Sequence, residues 1–243
     1  MIKKTIIGLV LVVNLGFGAN FEDAKNAYDK GDYKAALSIL EDLANKGDSK
    51  AQNELASLYE SGEIVMQDYK KAVEWFEKAA NQGYDISQYN LAFMYYRGNG
   101  VRQDYKKAFE LFQKVANSGH FDAQNRIGAM YEGGEGVKQD YFKAKEWYEK
   151  AAKQGNSIAQ YNMGRIYKEG LGVKQDYKKA FEWYEKSANQ GYASAQNNLG
   201  LLYVNGQGVK QNKKKAKELW GKACDSGIQI SCDNYRILNQ QGY

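Results

Sequence analysis

The chain has 243 residues, a formal net charge of +5, no proline, and twenty Tyr, nine Phe and four Trp. Such aromatic content excludes a disordered chain, and the length is enough for one or two domains with a real core. The Lys residues alternate with Glu, and without Lys3 and Lys4 the charge falls from +5 to +3, which argues against a nucleic-acid partner.

The amino end, "MIKKTIIGLVLVVNLGFGAN", has a positive start at Lys3 and Lys4, an apolar run over 5–13, and small residues at Gly16, Gly18 and Ala19. This layout predicts a secretory signal peptide over 1–19. Its apolar run is shorter than the roughly 20 residues that a bilayer span needs, so no stable membrane insertion is expected after cleavage. The expected location is the periplasm or the extracellular space.

Beyond the signal, the chain repeats itself. Tyr33, Tyr69, Tyr105, Tyr141 and Tyr177 recur every 36 residues, as do Gly47, Gly83, Gly119, Gly155, Gly191 and Gly227. Each unit divides into two predicted helices. The first carries Ala51, Leu55, Ala56 and Tyr59 on its apolar side. A small residue recurs at Ala56, Ala92, Gly128, Gly164 and Gly200. Gly inside a helix costs about 1 kcal/mol against Ala, so the three glycines imply the close approach of a neighbouring helix. A G-x-G-V loop follows, with its Val expected to plug into the core.

The second helix opens on an N-cap, Asp68, Asp104, Asp140, Asp176 or Asn212. Ala72, Val73, Phe76, Ala79 and Ala80 then mark one buried face. On the opposite face, Glu74–Lys78 and its equivalents Glu110–Lys114, Glu146–Lys150, Glu182–Lys186 and Glu218–Lys222 are spaced for ion pairs one turn apart. The recurring Gly ends this helix in the left-handed conformation. One unit cannot bury its own apolar face, so the units must stack. The paired lysines at 70–71, 106–107 and 178–179 read as a solvated outer face.

The segment "AQYNMGRIYKEGLGVKQDYKKAFEWYEKSANQG", residues 159–191, resembles the Sel-one-like repeat, a relative of the tetratricopeptide repeat with a longer loop. Five such units fill 48–227, preceded over 20–47 by a shorter hairpin similar to a tetratricopeptide repeat. Residues 228–243 read as a capping helix and tail that covers the last apolar face. The resemblance implies an all-α fold, an α-solenoid of antiparallel helix pairs wound as a right-handed superhelix, with the first helices lining a concave side.

Two cysteines stand in the last unit. Cys224 takes the place of Ala80, Ala116, Ala152 and Ala188, and Cys232 that of Gln52, Gln88, Gln124, Gln160 and Gln196. A tight turn at Gly227 joins the two places, so a disulfide is expected in an exported chain. A redox pair is the alternative, although it favours C-x-x-C spacing. The eight-residue separation is similar to that of the Helicobacter cysteine-rich protein family, which bears such a pair in most units. That resemblance implies β-lactam binding or weak β-lactamase activity as an alternative function.

No catalytic residue is assigned. None of the eleven Ser residues has Lys three positions later, as S-x-x-K β-lactamases require. His120 is the single His and reads as a loop residue, so neither a metal site nor a cofactor is expected. The expected activity is protein–protein interaction, with a protein or peptide partner held on the concave face. The candidate residues are Tyr89, Asn90, Arg126, Tyr161, Asn162 and Asn198, because amides pair with peptide backbone and Tyr adds rigid contact area. The asparagines have a second possible use, satisfying neighbouring helix ends.

Overall fold

The structure, a computed structural model, describes residues 19–243; the signal-peptide expectation therefore lies outside the described residues except for Ala19. The described residues form thirteen α-helices and no strand. They fall into two compact units that meet in sequence between Tyr84 and Asp85.

The first unit holds α1 (Phe21–Asp29), α2 (Tyr33–Asn45), α3 (Ser49–Ser61) and α4 (Tyr69–Asn81). The second holds α5 (Asp85–Arg97), α6 (Tyr105–Asn117), α7 (Phe121–Gly133), α8 (Tyr141–Lys153), α9 (Ser157–Glu169), α10 (Tyr177–Asn189), α11 (Ala193–Asn205), α12 (Lys213–Asp225) and α13 (Gln229–Gln240). Within each unit every helix packs on its neighbours in sequence, the arrangement of an α-solenoid built from helix pairs. The first helices of the pairs in the second unit are α5, α7, α9, α11 and α13, and the second helices are α6, α8, α10 and α12.

The second helices begin as their caps dictate. Asp68 accepts from the amides of Lys70 and Lys71, and Asp104, Asp140, Asp176 and Asn212 each accept from the amide three residues on. They end in a paired backbone lock. Gly83, at φ +83°, donates to Ala80 O while Tyr84 donates to Ala79 O. These two bonds are the Schellman arrangement, which satisfies carbonyls that the helix end would leave bare.

The helix-interior glycines have a specific neighbour. A Cβ on Gly128 would lie 2.7 Å from Cδ1 of Tyr148, one on Gly164 2.5 Å from Cδ1 of Tyr184, and one on Gly200 2.6 Å from Nε1 of Trp220. Each ring is fully or almost fully buried. The close approach is therefore made by an aromatic ring of the following second helix, rather than by helix backbone. Where the socket residue is Ala, at 56 and 92, the matching ring is the smaller Phe76 or Phe112. Socket and ring change together, Ala with Phe and Gly with Tyr or Trp. Arg236 occupies the socket position on α13, so that helix offers no seat for a further ring.

The turns between pairs are closed by a Gln ladder. Gln52, Gln124, Gln160 and Gln196 donate through Nε2 to the carbonyls of Ala44, Ala116, Ala152 and Ala188, eight residues earlier. Gln82, Gln154 and Gln190 then donate to the Oε1 atoms of Gln52, Gln124 and Gln160. At the last rung the donor is replaced by Ser226, whose hydroxyl turns back to Lys222 O, and the buried Oε1 of Gln196 has no partner. Ser226→Gln should supply the missing donor and raise unfolding stability by about 1 kcal/mol, measured by denaturant titration. No gain would mean that the Gln196 oxygen is already satisfied.

The disulfide forms, Cys224 to Cys232, with Cα atoms 4.7 Å apart. These are the positions of the Ala carbonyl and the Gln amide in the ladder, so a covalent bridge from α12 to α13 replaces the hydrogen bond used in four other turns.

Two expectations need correction. The five predicted pairs, Glu74–Lys78, Glu110–Lys114, Glu146–Lys150, Glu182–Lys186 and Glu218–Lys222, do not form, although Glu149 on α8 pairs with Lys145 and Lys153. Lys78, Lys150 and Lys186 instead sit 3.5, 3.8 and 4.4 Å over the rings of Trp75, Trp147 and Trp183. At exposed sites a cation–π contact and a surface ion pair are each worth at most about 1 kcal/mol, and an indole three residues away is the nearer partner. The loop valines Val101, Val137, Val173 and Val209 are half-buried rather than core residues.

Candidate interaction surface

The first helices of the second unit are joined by side chains, each reaching about one repeat along. Asn162 donates to Asn125 at 3.1 Å, Asn198 to the Tyr161 hydroxyl at 3.4 Å, and Ser231 to Asn197 at 2.9 Å. Tyr96 donates to Glu135 at 2.9 Å, and Arg165 reaches both carboxylate oxygens of Glu132 at 2.5 Å. Apart from the Tyr96 bond, which reaches Glu135 in the loop after α7, these bonds run between first helices and link α7, α9, α11 and α13 through polar side chains.

The six candidate residues all lie on this layer and all are half-buried. Tyr89 on α5 packs edge-on against Phe93 and Phe112, with His120 beside it. Tyr161 on α9 packs edge-on against Tyr192 and at a tilt against Tyr184. Both rings are partly committed to the fold. Asn90 lies beside Tyr89 on α5. Asn162 and Asn198 each spend one N–H on the neighbouring first helix, which leaves a second N–H and the carbonyl oxygen for another partner. Arg126 on α7 stacks over Phe93 at 5.0 Å and Tyr96 at 5.4 Å.

Arg126 opens into a groove of about 580 Å³ lined also by Tyr96, Glu132, Glu135, Asn162 and Arg165. Burial pushes the Tyr96 phenol above its ordinary range, with the Glu135 carboxylate adding to the shift. Burial also raises the Tyr148 phenol, which donates to Glu132 at 2.9 Å. The Arg165 guanidinium is pulled down by burial, but its bonds to Glu132 outweigh this and hold it firmly charged. The groove is thus walled by hydrogen-bonded side chains, Tyr96 with Glu135 and Arg165 and Tyr148 with Glu132.

Reading the repeats misses Tyr96, Glu132, Glu135 and Arg165. The position of Arg165 is Phe93, Ala129 and Leu201 elsewhere; Glu132 and Glu135 recur as Glu60 and Glu63 but give way to Tyr96 and Asn99 one unit before and to Lys168 and Leu171 one unit on, so periodicity does not single them out. His120 is more than a loop residue: it is the N-cap of α7, and its Nδ1 accepts from the Ala123 amide at 3.4 Å.

In the first unit, a second cleft of about 640 Å³ lies between α1 and α3, lined by Phe21, Leu40, Lys50 and Leu58 among others. Among the described residues, no helix is long and apolar enough to cross a membrane, and no cluster of three or more His, Cys, Asp or Glu could hold a metal ion.

Stacked helix pairs of fixed length, with a polar first-helix layer, define a repeat protein of tetratricopeptide type. The Sel1 repeat family model matches residues 49–84, 85–120, 121–156, 157–192 and 193–228, and the chain belongs to that family. A search of the curated proteins finds no match. A Sel1 repeat protein from Oxalobacter formigenes is 33% identical, at a TM-score of 0.81, over 87% of this chain and 86% of that one. A protective antigen of uropathogenic Escherichia coli strains is also 33% identical, at a TM-score of 0.82. The match covers 92% of this chain but 52% of the antigen, so the chain spans about half of that protein's length. Helicobacter pylori cysteine rich protein B is 20% identical over 58% of this chain and 96% of that one, at a TM-score of 0.39, too distant to support a functional comparison.

Proposed function

We propose that the protein is a non-catalytic scaffold that binds an extended peptide segment of a partner protein along its first-helix layer. The carrying observation is the row of amide and aromatic groups on α5, α7, α9 and α11, with a groove beside Arg126 and Asn162. An extended peptide needs backbone partners at regular spacing, and repeated first helices present Asn side chains at such intervals.

The envelope or the secreted space is the proposed setting, with residues 1–19 as the signal peptide and the mature chain free of the membrane. The disulfide suits an oxidising compartment. No nucleic acid, metal or cofactor enters this reading. The β-lactam alternative has no observation in its favour.

A random-peptide display selection on the purified chain tests the proposal. Selected peptides should bind, and replacing Asn162 and Asn198 together by Ala should weaken them about tenfold, the effect of one or two lost hydrogen bonds. A double variant that unfolds at the wild-type temperature and binds equally well would count against it.

A further inference from the structure

The acidic side chains around Arg126 are all occupied. Asp122, one helical turn earlier on α7 and the natural ion-pair partner, instead accepts from Asn156 Nδ2 at 2.9 Å. Glu132 is held by Arg165 and by the Tyr148 hydroxyl. Glu135 accepts from Tyr96. Among the described residues Arg126 forms no ion pair, and its guanidinium lies over the faces of Phe93 and Tyr96.

A guanidinium over two aromatic faces spends no N–H donor in a hydrogen bond to them, and its planar fork of donors matches a carboxylate. A half-buried cation that has shed part of its water also gains more from an incoming anion than a fully exposed one. Exposed Arg97 lies over Phe93 as well, at 5.1 Å, and adds positive potential at the same ring.

Building on the peptide-binding reading, we infer that Arg126 anchors an Asp or Glu side chain in the interior of the bound peptide. An interior position is favoured over a terminal carboxylate because Arg126 stands within the row. Tyr89 and Tyr96 on α5 lie to one side, and Asn162 on α9 and Asn198 on α11 lie to the other. A chain ending at Arg126 would leave half of those groups unused. Glu135 confines the anion to the Arg126 end of the groove, since a carboxylate placed nearer Glu135 would be repelled.

The test is a display selection with random peptides flanked by constant neutral sequence, followed by binding measurements on acetylated, amidated peptides. Wild-type chain should select an acidic residue at one fixed position, and changing it to Asn or Gln should weaken binding about tenfold to a hundredfold. Arg126→Gln should abolish that discrimination while still binding the neutral peptide, and Arg126→Lys should retain part of it. An acid preference that persists in Arg126→Gln, or wild-type binders with no acidic position, would overturn this inference and leave the peptide-binding reading intact. A selection gained only by peptides with a free C-terminus would overturn the interior placement. Failure of the wild type to bind any peptide would overturn both readings.

Discussion

Gly164→Ala should destabilise the protein by about 3 kcal/mol, the upper end of what overpacking a core costs. The added methyl would lie 2.5 Å from Cδ1 and 2.6 Å from Cε1 of Tyr184, a ring with 0% exposure that has no room to retreat. Tyr184→Phe alone should be neutral or mildly stabilising, because the buried Tyr184 hydroxyl has no hydrogen-bond partner to lose. The neighbouring repeat supplies the contrast. There the Tyr148 hydroxyl donates to Glu132, whereas the equivalent of Glu132 beside Tyr184 is Lys168. Combining Gly164→Ala with Tyr184→Phe rebuilds the Ala–Phe pair found at Ala56–Phe76 and Ala92–Phe112, and should recover most of the loss. A double-mutant cycle by denaturant unfolding measures this coupling. Strict additivity would mean that socket and ring do not constrain one another.

The second large effect concerns the bridge at the carboxyl end. Opening Cys224–Cys232 by Cys232→Ser should cost roughly 2.6 kcal/mol on the loop-entropy model for nine residues. The loss should be concentrated in α13, which packs chiefly on α12, reaches α11 through the Ser231–Asn197 bond, and buries only Ser231 and Leu238. The ladder positions suggest a sharper variant. Cys224→Ala with Cys232→Gln installs the pair used in four other turns, where a Gln amide meets an Ala carbonyl. It should regain about 1 kcal/mol over the Ser variant, the worth of one hydrogen bond. Equal stability of the two variants would show that the bridge has no such equivalent.

Much of the fold is legible because stacking units must each satisfy the same demands. Asp at 68, 104, 140 and 176 starts a helix wherever it recurs, and a left-handed Gly ends one, so the helix pairs can be read without the structure. The need for small residues at 128, 164 and 200 is equally plain, but the identity of the intruding group is not. It could have been found by comparing units, since position 148 and its equivalents change from Phe to Tyr and Trp as the socket changes from Ala to Gly.

The groove is less legible for the opposite reason. Arg126 and Arg165 each occur once at their positions in the unit, and the bonds from Arg165 to Glu132 and from Tyr96 to Glu135 span 33 residues or more. Nothing in a local pattern tells that Asp122 turns to Asn156 and leaves Arg126 without a carboxylate. Surface lysines are ambiguous in another way: Lys78 has Glu74 and Trp75 both within reach, and two contacts of similar small energy compete.

Amide hydrogen exchange of the chain, with and without a peptide from the display selection, addresses the binding face most directly. Slowed exchange confined to α5, α7, α9 and α11, strongest around Arg126 and Asn162, is the predicted result. Slowing on α6, α8 and α10 with no change along the first helices would contradict it.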